Sequence, residues 1–142
     1  MKFLMQSICF GAFIILFSSC KKDESIISTS IIGEWELRQT LGDMGLKNYP
    51  PGNGNILKYT KSNFQSFNGQ SVTSGYYKIV FDATAEANLC LQLPSNEFRN
   101  RIIYDNNLTD IKKFIQISNN RLILRSGCFG ADGGVRLEYE RQ

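Results

Sequence analysis

From Gly33 onward the sequence predicts an all-β fold, an antiparallel meander closed into a barrel of eight to nine strands. Three observations carry that expectation. Apolar and polar residues alternate with a period of two in the first and last segments. The breaks between the apolar runs hold hairpin chemistry, and the runs themselves are short and recur at regular spacing to the end of the 142-residue chain. Closure follows because so many short strands, left as an open sheet, would present two edges to other chains.

The first run, Gly33-Glu34-Trp35-Glu36-Leu37-Arg38, places Trp35 and Leu37 on one face and Glu34, Glu36 and Arg38 on the other. Strands are then expected at Ile56 to Thr60, Phe64 to Asn68, Val72 to Phe81, Ala87 to Leu93, Arg101 to Tyr104, Phe114 to Ser118 and Arg121 to Ser126. The last run turns Val135, Leu137 and Tyr139 inward and Arg136, Glu138 and Glu140 outward. Lys61-Ser62-Asn63, Asn68-Gly69 and Asn119-Asn120 supply hairpin turns, and Pro50-Pro51-Gly52-Asn53-Gly54 a rigid one. Asn106 to Lys112 is the one stretch expected to make a short helical turn. The aromatic side chains of Tyr59, Phe67, Tyr77, Phe81 and Tyr139 are expected in the core.

Ahead of this domain, Lys2 forms a positive n-region, Phe3 to Phe17 an apolar h-region, and Ser18-Ser19 the small residues before a cleavage site. Leu16-Phe17-Ser18-Ser19-Cys20 resembles a bacterial lipobox, whose cysteine takes a diacylglycerol and becomes the first residue of the mature chain. The expected organisation is a signal peptide at 1–19, a lipidated tether at 20–32 and a barrel domain at 33–142, one domain by size. The resemblance implies palmitate-type acylation at Cys20, with the membrane as a partner through the lipid anchor. Lys21-Lys22-Asp23-Glu24 resembles the export signals that place lipoproteins on the outer face of the outer membrane, and it also serves as a solvated spacer.

Lysine and arginine number 16 against 13 acids, a net charge of +3, with no clustering of basic residues. Nucleic acid is therefore excluded as a partner, since binding it requires a concentrated basic patch. Once Cys9 leaves with the leader and Cys20 takes the lipid, Cys90 and Cys128 remain as a pair. In an oxidising envelope they are expected to form one disulfide, worth about 3 to 4 kcal/mol; two free thiols acting as small apolar residues are the alternative.

Gly33-x-Trp35 opening the first strand, the meander order, Gly75-x-Tyr77-x-Ile79 in a central strand and a basic residue near the end of the last strand together resemble the lipocalin-like bacterial lipoproteins. That resemblance implies a barrel floor where Trp35 packs beneath an arginine from the last strand, Arg141 or Arg136. A guanidinium over an indole face gains a cation–π contact there.

Catalysis is not expected. Histidine is absent, which removes Ser-His-Asp and Cys-His arrangements and any imidazole proton shuttle. The glycine-rich stretch from Gly127 to Gly134 lacks both the lysine and the strand-to-helix setting of a phosphate loop. No cofactor is expected, and no metal, since two distant cysteines do not make a four-ligand site. Two roles remain. A carrier would hold a small apolar ligand at a mouth rimmed by Tyr49, Phe98 and Tyr104. The alternative is a protein-interaction module of the cell surface, such as a lysozyme inhibitor or a subunit of an envelope complex. A connected apolar void favours the first; a solid core favours the second.

Overall fold

The computed structural model describes residues 30–82, 99–127 and 134–142. Among these residues nine strands follow in chain order: β1 (Gly33–Gly42), β2 (Gly45–Asn48), β3 (Asn55–Tyr59), β4 (Asn63–Asn68), β5 (Val72–Phe81), β6 (Asn100–Tyr104), β7 (Lys113–Ser118), β8 (Arg121–Ser126) and β9 (Val135–Arg141). All pairings are antiparallel, in the order β2-β1-β3-β4-β5-β6-β7-β8-β9, and β9 returns to pair with β1. Eight strands thus close an up-and-down barrel, with β2 attached to β1 as a ninth. The strand expected at Ala87 to Leu93 lies outside the described residues.

Side-chain chemistry sets the turns. Thr60 N–H donates to Asn63 O at 2.9 Å around Lys61-Ser62. In the next hairpin Asn68 Oδ1 accepts from the amides of Gln70 at 3.2 Å and Ser71 at 2.9 Å. Asn119 adopts a φ of 51°, a left-handed conformation that asparagine tolerates in tight hairpins. The helical turn expected at Asn106 to Lys112 does not form. Asp105 and Asn106 take φ values of 50° and 57°, and Asn107 N–H closes the turn on Tyr104 O at 2.9 Å. Asn107 Oδ1 then captures the Thr109 amide at 3.1 Å and its hydroxyl at 2.8 Å, so local side-chain bonds displace the helical ladder.

β1 is longer than its alternation suggested and has three partners. Gly33 to Glu36 pair with β3, Gln39 to Gly42 pair with β2, and β9 follows both halves. The register shifts between Leu37 and Gln39, leaving Arg38 as an extra residue of the kind that bends a strand. The β2–β3 connection serves the backbone groups exposed at that bend. Tyr49 N–H donates to Arg38 O at 2.8 Å, while Asn53 Nδ2 donates to Leu37 O at 2.8 Å and Pro50 O at 2.7 Å.

The core holds Ile31, Trp35, Leu37, Leu57, Tyr59, Phe64, Ile102, Ile115, Leu122, Leu124 and Tyr139. Two aromatics expected there lie elsewhere. Phe67 pairs with Ile56 on the outer face, out of step with the inward Leu57–Ser66 pair, and Phe81 is 53 % exposed at the end of β5. Gly75 occupies a crowded position: a Cβ there would stand 2.2 Å from Asp105 Oδ1, which accepts the Tyr76 amide at 2.8 Å.

Two outward glutamates depart from the solvent-facing positions that alternation assigns them. Glu36 and Glu138 are buried on the outer wall, at 3 % and 6 % exposure. Glu36 stands directly opposite Glu140, an unfavourable like-charge pair. Arg38 at the bulge bridges both, bonding Glu36 and meeting Glu140 Oε2 at 2.8 Å. Gln142 Nε2 adds a bond to Glu36 at 3.3 Å. Glu138 is paired in turn with Arg121 and Arg136. Long arginine stems cover both carboxylates, which alternation alone does not foresee.

Burial pushes the Glu36 carboxyl up, but Arg38 and the Gly52 and Gly54 amides outweigh it and hold the group below its ordinary 4.5. A carboxyl depressed in the folded state stabilises the fold above its unfolded value, and that contribution is lost as pH falls through the folded value. Glu36→Gln is therefore expected to lower the urea midpoint at neutral pH and to flatten the acid limb of a midpoint-against-pH series below about pH 4.5. An acid limb unchanged from wild type would remove Glu36 from that account.

Candidate functional site

One end of the barrel is sealed by residues that converge from both chain termini of the domain. Trp35 is fully buried, and its Nε1–H donates to Ile31 O at 2.7 Å. The Arg141 guanidinium lies over the indole, 4.1 Å from the ring centroid. Its Nη1 donates to Ile32 O at 2.8 Å and its Nη2 to Ser30 O. Arg136 stands at the opposite end of β9 and pairs with Glu138, so Arg141 is the residue over the tryptophan. Gly33 suits this position in backbone angle and in space. Its φ is +139°, and a Cβ would lie 2.7 Å from Arg141 Nη1. The G-x-W spacing thus has a local physical reason: glycine leaves room for the arginine that covers the tryptophan two residues on.

The other end opens on a cavity of about 320 Å³. Leu57, Phe64, Leu124, Leu137, Tyr104 and Tyr139 form its walls, with Ser66, Ser126, Arg125 and Lys113 also lining it. Register explains the set. Leu57 pairs with Ser66, Leu124 with Leu137, and Ser126 with Lys113, and paired residues share one face of the sheet. Tyr59 Oη and Tyr104 Oη lie 2.6 Å apart at the inner end, and Phe64 meets Tyr104 edge-on with centroids 4.6 Å apart. Burial pushes the Tyr104 phenol up to about 12 and drives Tyr59 and Tyr139 upward as well. All three are neutral at physiological pH, so the inner cavity is apolar with hydroxyls in place of charge.

Of the three mouth residues expected from the sequence, Tyr104 lines the cavity. Tyr49 packs against the core from the β2–β3 connection and is not among the lining side chains. Its position follows from the β1 bulge, whose Arg38 carbonyl draws the Tyr49 amide inward. Phe98 lies outside the described residues, as do Cys20, Cys90 and Cys128. Alternation marks Leu137 as inward but points to neither Ser66 nor Lys113; the signal that finds them is cross-strand register, counted from the hairpin turns.

A second hollow of about 430 Å³ lies against β3, β4 and β5, lined by Lys58, Gln65, Ser74 and Tyr76 among others. It is larger but polar-walled, and Lys58 is engaged by Glu34 at 2.6 Å. The cavity at the mouth has the apolar walls and sparse polar groups of a small-molecule site. Among the described residues there is no group of three or more Cys, Asp or Glu placed to hold a metal ion, and no helix long and apolar enough to cross a membrane.

No protein-family model, curated protein or solved structure matches the chain. Architecture alone therefore defines its class: an all-β, up-and-down barrel consistent with a lipocalin-like fold, closed at one end and hollow at the other.

Proposed function

We propose that the protein is a lipid-anchored lipoprotein of the bacterial outer membrane that binds a small apolar compound inside its barrel and performs no catalysis. The observation that carries this reading is the cavity of about 320 Å³ between Leu57, Phe64, Leu124 and Leu137. A solid barrel would leave only loops for recognition, whereas this interior is at the small end of the range for ligand sites. Anchoring rests on the leader and Cys20. A lipid at that residue joins the chain to a membrane through the segment that precedes Ser30, at the sealed end of the barrel.

Solvent extraction and mass spectrometry of the protein purified from its own host's envelope test the ligand. A stoichiometric apolar compound is the expected result; an empty barrel overturns the carrier reading in favour of a surface interaction module. For the anchor, Cys20→Ser is expected to move the protein from the membrane to the soluble fraction. Continued membrane fractionation of that variant would sink the lipid anchor.

A further inference from the structure

Two inward positions of the described strands carry a charge, one at each end of the barrel. Arg141, paired with Trp35, is spent on the floor. Lys113 opens β7 at the other end, opposite Ile102 on one side and Ser126 on the other, so its side chain shares the face of the core. It lines the cavity with Ser66 and Ser126. Its Nζ lies 5.5 Å from the Tyr104 ring centroid and donates to Asp110 Oδ2 at 3.1 Å. Asp110 is half exposed, so this contact has the weak coupling of a surface ion pair. An ammonium has three donors, and one bond to Asp110 leaves two. Among the described residues this cation meets Asp110 and the Tyr104 ring, at an inward position where an apolar residue would bury more surface.

We infer that the compound held in the barrel is an anionic amphiphile, its apolar chain between Leu57, Phe64, Leu124 and Leu137 and its carboxylate or comparable anionic head at Lys113 in the mouth. This inference rests on the carrier reading above and names the chemical class of its ligand. The geometry assigns each part of such a molecule to a matching wall. The neutral tyrosines and leucines take the chain, because an anion placed among them would lose its hydration. The head stays at the rim with the lysine, where Ser66, Arg125 and Ser126 also line the mouth. The lysine side chain is 36 % exposed, so its ammonium is accessible to a head group at the mouth.

The test is isothermal titration of the full chain, expressed without acylation, with decanoate and with 1-decanol, two probes of equal chain length that differ in head charge. Wild type is expected to prefer decanoate by roughly tenfold, in the range of a charge-assisted hydrogen bond at a half-exposed site. Lys113→Met is expected to erase that preference and Lys113→Arg to retain most of it. On the wild-type chain, added salt is expected to weaken decanoate much more than decanol, which needs no variant to fold. Equal affinity for the two probes, or a preference that survives Lys113→Met, overturns the anionic head and leaves the carrier reading standing. Binding of neither probe overturns the carrier reading and this inference with it.

Discussion

Replacing Trp35 with alanine is expected to destabilise the protein by about 3 to 5 kcal/mol, the cost of deleting a large aromatic from a packed interior. Against the roughly 5 to 15 kcal/mol that holds a domain of this kind together, that is enough to unfold much of the population under mild heating. The reason for so large a loss is that the indole joins three elements. It fills the floor of β1, anchors Ile31 O through its ring nitrogen, and supplies the face on which Arg141 of β9 rests. Removing it leaves a void under a half-buried cation whose remaining bonds run to the carbonyls of Ser30 and Ile32. Urea unfolding of Trp35→Ala, Arg141→Ala and the double variant measures this directly. The double variant should lose less than the sum of the singles, because the two residues are in contact. Strict additivity, or a loss for Trp35→Ala under about 1.5 kcal/mol, would show that the floor is not held by this pair.

Ser66→Phe is expected to separate stability from binding. Ser66 faces the cavity from β4, at an inward position opposite Leu57. A phenyl ring there enters existing empty volume, so the usual cost of overpacking does not arise and a gain of about 0.5 to 2 kcal/mol is expected. The same ring occupies the place of a ligand chain. Affinity for 1-decanol is expected to fall by at least roughly a hundredfold, equivalent to about 2.8 kcal/mol. Thermal melting and titration of one variant thus move in opposite directions. Decanol binding that persists at wild-type strength would place the ligand outside the barrel and return attention to the loops.

Much of the barrel is legible residue by residue in the sequence. Period-two alternation is a local property, so Trp35 and Leu37 in the first strand and Leu137 and Tyr139 in the last turn inward as expected. Turn chemistry is local too, which is why Asn119-Asn120 marks a hairpin. Where local chemistry competes with itself, the reading fails. Asn107 offers its neighbours an Asx bond that a helical period at Asn106 to Lys112 does not reveal. The β2 strand has no alternation of its own, and forms because β1 continues past its bulge and folds back at Asp43-Met44.

Local patterning specifies a meander of short antiparallel strands, its turns, and the inward face of β1 with its glycine two residues before the tryptophan. Which end of the barrel each inward residue reaches is set by the way the sheet closes. Strand tilt and the extra residue at Arg38 set those heights, and neither is written in any one strand. They bring Arg141 rather than Arg136 over Trp35, and they bury Glu36 and Glu138 under arginines on the outer wall. They also leave Ser66, Lys113 and Leu137 around an unfilled mouth. Alternation says which face a side chain takes; closure of the sheet says what it meets there.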